Sequence, residues 1–250
     1  MQSFISWIGG KKLLRTAIIG QFPEQSSFDR YVEVFGGAGW VLFAKDKHAD
    51  IEVYNDIDSD LVNLYRCVKY HCAELQHELE WLTVSREMFF DAIAQLRAGG
   101  LTDIQRAARY YLLIKASFGA DRRSFGMRGK DLGAGIEYLT AVQQRLKRVT
   151  IEHKSFDNLI QVYDRPTALF YCDPPYVGTE KFYDNPFGEA DHRLLNACLK
   201  DIKGRFVLSY NDCDLVRDLY KDFDIIPVQR ANSLVQATGS KFAEVIIKNF

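Results

Sequence analysis

The residues in this 250-residue sequence best suited to chemistry lie in Ala168-Leu169-Phe170-Tyr171-Cys172-Asp173-Pro174-Pro175-Tyr176. The apolar run reads as a buried strand; a carboxylate, two prolines and a tyrosine follow at once, which ends the strand and fixes the backbone at its mouth. Asp173 offers carboxylate oxygens and Pro174 a carbonyl without an amide hydrogen, so the corner presents acceptors and few donors. Pro175 holds the residue before it in extended geometry, which keeps the Pro174 carbonyl out of a helix. Tyr176 adds a flat aromatic face. A planar ring with an exocyclic amine, adenine or cytosine, would be gripped at its NH2 protons by Asp173 and the Pro174 carbonyl and on its face by Tyr176. Asp-Pro-Pro after a strand also serves as plain turn punctuation, so the rest of the chain has to arbitrate.

A second stretch has a ligand-binding layout. Tyr31-Val32-Glu33-Val34-Phe35 reads as a strand, Gly36-Gly37-Ala38-Gly39 as a turn, and Trp40-Val41-Leu42-Phe43-Ala44 as the opening of a helix. Glycines let a ligand approach the backbone, and a helix start offers N–H groups to an anion. Leu42 stands where a dinucleotide fingerprint has its third glycine, which favours a ligand with one small anionic group over a pyrophosphate. The next strand, Ile51 to Asp56, ends in a carboxylate 17 residues beyond Gly39. That is close to the offset of roughly 20 residues at which an acid meets ribose hydroxyls. Asp56 is the candidate ribose acceptor; its alternative role is to cap a helix starting near Asp58 to Asp60.

The elements that position these residues follow from periodicity. Ser6-Trp7-Ile8-Gly9-Gly10-Lys11-Lys12 is a turn before a helix that runs to about Ile19. From Leu61 to about Arg148 apolar residues recur at three and four, which predicts a helical insertion between strands. Inside it, Lys115 to Lys130 is too rich in glycine and cations to be helix throughout. Lys115, Arg122, Arg123, Arg128 and Lys130, interleaved with Phe118 and Phe125, suit a surface that meets nucleic acid; a merely solvated loop is the alternative. Beyond the insertion the pattern predicts strands at 150–154, 169–172 and 205–210, a helix at 189–200, and two last strands at 223–228 and 242–248. Together these make an open, mainly parallel α/β sheet closed by an antiparallel hairpin, with Gly37, Asp56 and Asp173 at carboxyl ends of strands, where such sheets bind ligands.

Composition bounds the function. The formal net charge is -1, yet residues 101–154 hold eleven Lys/Arg against five Asp/Glu, leaving 21 against 28 elsewhere. A basic region set in an acidic body is the footprint expected for phosphate. No apolar run approaches the roughly 20 residues of a membrane span, and the N-terminus lacks the pattern of a secretory signal, so an intracellular, cytoplasmic protein is expected. The five cysteines form no C-x-x-C pair and lie in apolar patterns, as reduced buried thiols do; the five scattered histidines predict no metal site.

Four motifs in order carry a resemblance: Trp7-x-Gly-Gly-Lys11, Glu33-Val-Phe-Gly-Gly-Ala-Gly39, Tyr54-Asn-Asp56-Ile-Asp58-x-Asp60-Leu and Tyr171-Cys-Asp173-Pro-Pro-Tyr176. With a helical insertion between the last two, the chain resembles the Dam-type (alpha-group) DNA adenine-specific N6-methyltransferases, phage and prophage types among them. The likeness covers both ends of the chain. It implies a Rossmann-like catalytic domain of residues 1–60 and 149–250 and an inserted target-recognition subdomain of residues 61–148. It implies S-adenosylmethionine as methyl donor, S-adenosylhomocysteine as product, no metal, double-stranded DNA as partner, and action as a monomer. Trp7, Lys11, Asp56 and Asp173 map onto the family's cofactor contacts, joined by Phe35, Gly37 and Gly39 of the glycine turn; Asp173, Pro174 and Tyr176 are the implied catalytic corner, and the basic loop the DNA contact. Where members that methylate GATC carry an Asn-Arg pair, then Asn-Gly and Arg, residues 113–127 here read Leu-Ile-Lys-Ala-Ser-Phe-Gly-Ala-Asp-Arg-Arg-Ser-Phe-Gly-Met. A different short site or relaxed specificity therefore stands beside GATC, and the alternatives by class are a ribosomal-RNA methyltransferase and a DNA-binding regulator without turnover.

Overall fold

The apolar stretch at 168–172 forms a strand buried along its whole length, as a strand covered on both faces does. In the computed structural model, which describes residues 1–126, 132–179, 186–229 and 243–250, the strands along the chain are β1 (Arg30–Glu33), β2 (Ile51–Asn55), β3 (Val149–Glu152), β4 (Ala168–Cys172), β5 (Arg205–Asn211), β6 (Asp224–Gln229) and β7 (Ala243–Lys248). The helices are α1 (Arg15–Ile19), α2 (Ser59–Tyr70), α3 (Cys72–Glu80), α4 (Arg86–Ala98), α5 (Asp103–Ala116), α6 (Gly133–Leu146), α7 (Phe156–Tyr163), α8 (Glu189–Lys200) and α9 (Asp214–Leu219). They fall into two compact units, one of residues 11–36, 47–57 and 154–250 and one of residues 1–10, 37–46 and 58–153.

The first unit is a sheet in which β2, β1, β4 and β5 run parallel in that order, and β7 then β6 continue it antiparallel. In-register pairing stacks apolar side chains across it: Val32 lies opposite Val53 and Phe170, Phe170 opposite Phe206, and Leu208 opposite Ile247. Leu159 and Ile160 of α7 and Leu195 and Leu199 of α8 complete this core, each contributing roughly 1.5–3 kcal/mol by burial. α7 and α9 were not expected from the sequence. At 8 and 6 residues they are too short to display a helical period.

The second unit is helical. α5 starts at a capping box, in which the Thr102 side chain accepts from the Gln105 N–H and the Gln105 side chain accepts in return from the Thr102 N–H. This unit reaches beyond the 61–148 read from the periodicity. Phe4 meets the Tyr65 ring edge-on at 5.1 Å and Phe43 stacks on it at 6.3 Å, so chain from before α2 completes the core beneath that helix. The helix expected to open at Trp40 is corrected: only a single 3-10 turn, Leu42–Ala44, forms. Arg145 of α6 donates to the carbonyls of Leu42 and Lys45 at 2.9 Å each, and carbonyls engaged from outside do not propagate a helix.

Candidate active site

Asp173 follows β4 directly, where the prolines end the ladder. Its carboxylate, 16% exposed, meets the ammonium of Lys11 at 2.8 Å, and Lys11 is itself only 6% exposed. That ammonium also lies 4.6 Å from the centroid of the Tyr176 ring, over its face. Three side chains separated by up to 165 positions thus enclose one small space with an acceptor on one side and a π-face on another. Apart from the Lys11 ammonium, the buried Asp173 Oδ1 has no hydrogen-bond partner among the described residues. Burial pushes the Asp173 carboxyl up to about 6, against the pull of Lys11 and with a further push from Glu244.

The surroundings hold this corner in place. The Tyr176 hydroxyl donates to Glu244 Oε2 at 2.7 Å, and its ring packs 6.0 Å from that of Tyr210. Burial, with the Asp173 and Glu244 charges, raises the Tyr176 phenol well above its ordinary value and keeps it a neutral donor. The Tyr210 hydroxyl is shared with His192 Nδ1, and the Tyr171 hydroxyl with Ser209 Oγ at 3.0 Å. Asn211, at the end of β5, accepts from the Val177 N–H and donates to the Val177 carbonyl, both at 3.1 Å, which clamps the chain just after the corner. Glu244 and Asn211 were not singled out from the sequence. The available signal was Glu244 itself, a single acid in the otherwise apolar run Phe242-Ala-Glu-Val-Ile-Ile.

The ends of β1 and β2 lie in the same unit. Phe35 packs at 5.7 Å on Phe156 and 5.8 Å on Phe187, and Gly36 donates to the Asn55 carbonyl at 2.7 Å. A side chain at Gly36 would begin 2.2 Å from the Tyr54 ring, so only glycine fits there. Asn55 ties the two ends together by donating to the carbonyls of Val34 and Lys154 at 2.9 and 3.1 Å. Asp56 follows it, half-buried. The capping of α2 belongs to Asp58, whose Oδ1 accepts from the N–H groups of Asp60 and Leu61 at 3.0 Å, and not to Asp56.

The remaining candidates sit in the helical unit. Trp7 lies against Gly37, where φ is +48° and a Cβ would come within 2.9 Å of the indole; Gly39 is left-handed too, at +64°. Arg122 is drawn onto aromatic rings, 4.7 Å from Trp7 and 5.5 Å from Tyr110, in a left-handed backbone with φ 58°. Lys115 lies 5.2 Å over the Tyr111 ring, and Arg123 is exposed. Arg128 and Lys130 fall outside the described residues. Among the described residues no group of three or more His, Cys, Asp or Glu is placed to hold a metal ion, and no helix is long and apolar enough to cross a membrane.

Comparison with known proteins accords with this geometry. Over residues 7–234 the chain matches the model of the D12 class N6 adenine-specific DNA methyltransferases. It is 28% identical to the type II methyltransferase M1.LlaDCHI of Lactococcus lactis subsp. cremoris, over 100% of this chain and 96% of that protein. It is 26% identical to the retron Ec67 DNA adenine methylase of Escherichia coli, over 99% and 90% of the two chains. Against the DNA adenine methylase of Serratia marcescens the identity is 28%, over 88% and 87%. With the matched segment running from the Trp7 motif past the acceptor corner at Asp173, the chain belongs to the family of D12 class N6 adenine-specific DNA methyltransferases.

Proposed function

We infer that the target adenine presents its exocyclic amine to Asp173 and lays its ring against Tyr176, in the space the Lys11 ammonium holds when no base is bound. The observation that carries this reading is the buried Asp173 Oδ1, which has no hydrogen-bond partner among the described residues besides that ammonium. Adenine's amine is a weak nucleophile because its lone pair is delocalised into the ring. Acceptors on its two protons, Asp173 and the Pro174 carbonyl, favour a more tetrahedral nitrogen whose lone pair is free to attack. S-adenosylmethionine, the family's methyl donor, supplies an electrophilic sulfonium methyl when bound. When that donor is bound, its methyl group would pass to the amine nitrogen, leaving S-adenosylhomocysteine, and the proton the nitrogen then sheds would go to the Asp173 carboxylate that accepts from it. The chain's part is to orient the base and to exclude water.

The residues at the strand ends fit that donor. The half-buried carboxylate of Asp56 at the end of β2 is of the type that accepts from ribose hydroxyls. Trp7, Lys11, Phe35, Gly37, Gly39 and Asp173 keep the cofactor roles the family resemblance gives them. The helical unit is assigned to DNA recognition, with Lys115, Arg122, Arg123, Arg128 and Lys130 as its basic contacts. Since the amine is inside the duplex, the base has to be flipped out to reach Asp173. The enzyme is taken to act as a monomer, in the compartment that holds the DNA.

The test is to express the protein in cells whose DNA lacks adenine methylation and to sequence the methylated positions. A defined set of N6-methyladenines, absent with Asp173→Asn, is the expected outcome. Unmodified DNA together with methylated ribosomal RNA would replace the reading with the RNA alternative.

A further inference from the structure

We propose that Glu244 is a positioning residue of methyl transfer, holding the Tyr176 ring through its hydroxyl and adding a second carboxylate to the pocket at Asp173. The inference rests on the assignment of that pocket to the target base.

Glu244 is 5% exposed, on β7, where it lies opposite Asn211 of β5. A carboxylate that deep is costly unless it is needed or well compensated. One compensation is the 2.7 Å bond that its Oε2 accepts from the Tyr176 hydroxyl, an ordinary length for an O–H···O pair. A phenol held at its far end cannot swing about its Cα, so the ring face that Lys11 covers at 4.6 Å keeps its angle to Asp173. The other effect is electrostatic. Among the described residues the pocket holds one cation, Lys11, and two carboxylates, Asp173 and Glu244. Once a base displaces the ammonium, both carboxylates face an amine that gains positive charge as it accepts the methyl group, and fixed negative charge in a dry site stabilises that developing cation.

Among the described residues, few groups face Asp173. Lys11 lowers its carboxyl and Glu244 raises it; Tyr171, Cys172, Tyr176 and Tyr210, from β4, its loop and β5, surround it as neutral hydroxyls and a thiol held high by burial. Glu244 is therefore the nearby anion whose removal would move Asp173.

The experiment compares wild type with Glu244→Gln, which keeps an acceptor for Tyr176 but removes the charge, and with Tyr176→Phe, which removes the bond but keeps the carboxylate. In the free protein, the Asp173 carboxyl carbon is followed by NMR from pH 4 to 8, assigned by its loss in Asp173→Asn. Its midpoint is expected to fall by about half a unit or more in Glu244→Gln. Single-turnover methylation of a duplex bearing the identified site is expected to slow on the order of tenfold in each variant, with DNA affinity within about twofold of wild type. Because the two side chains act through one bond, the double variant should be slower than either single by less than the product of their effects. An unmoved Asp173 midpoint, or wild-type rates in both single variants, overturns the inference. A wild-type protein that leaves adenine unmethylated overturns the assigned function instead, while the titration still reports on Glu244.

Discussion

Asp173 has to be an anion to accept from an amine, yet it sits where an anion is disfavoured. Its carboxyl rises from the ordinary 3.8 to about 6 because burial outweighs the Lys11 ammonium. The folded state therefore binds this proton more tightly than the unfolded chain does, so Asp173 costs stability as pH climbs from 3.8 toward 6, and the full cost persists above that window. Activity has the opposite sign. The acid limb of kcat/KM for methyl transfer should fall with a midpoint near 6 and a slope of one, read from rates between pH 5 and 8. Lys11 gives a second test. Asp173→Ala removes the carboxylate beside a buried ammonium and should lower stability in urea titrations, whereas adding Lys11→Met should recover part of that loss. The acceptors and the aromatic face were legible because Asp, Pro and Tyr in immediate succession constrain one another. What the corner rests on was not: Glu244 is brought beside it by pairing of β7 with β5 and Asn211 by its bonds to Val177, contacts across more than thirty residues that no local pattern records.

The acids after β2 show how an element assigns work among neighbours. Asp58 caps α2 with one oxygen and accepts from the Tyr110 hydroxyl at 2.7 Å with the other. Asp58→Ala should therefore cost about 1–2 kcal/mol of stability while leaving cofactor affinity nearly intact. Asp56→Ala should do the reverse, weakening S-adenosylmethionine by roughly 1–3 kcal/mol in calorimetry with little change in melting. Equal behaviour of the two variants would remove the ribose assignment. The sequence offered Asp56 for either duty, ribose acceptor or helix cap, and only the geometry of the first turn gives the cap to Asp58. The stretch after the glycines shows the opposite failure. Trp40 to Ala44 has the composition of a helix start, but the Arg145 fork takes the carbonyls of Leu42 and Lys45 from a hundred residues away. Replacing that fork by Arg145→Lys, which cannot reach both carbonyls, should cost on the order of 1–3 kcal/mol in thermal unfolding.

At the scale of the whole chain, charge and connectivity were read with different success. The eleven cations in residues 101–154 pointed to nucleic acid; of the described ones eight lie in the helical unit and Lys154 in the sheet unit. They are not equivalent. Arg123 is exposed and Arg122 rests on Trp7 and Tyr110, so Arg123→Ala should lower the slope of log affinity against log salt by about one and Arg122→Ala should lower it by less. The unit's extent was harder to see, because Phe4 and Phe43 enter its core from chain that precedes α2, Phe43 from a stretch that reads locally as the opening of another helix. The strand order β5-β7-β6 is non-local in the same way, and it bears on biosynthesis. A ribosome delivers β6 before β7, so during elongation the outer edge of β5 stays bare and β6 has no neighbour to pair with. That interval exposes unpaired backbone beside an apolar strand, the form in which nascent chains are captured by chaperones or join one another.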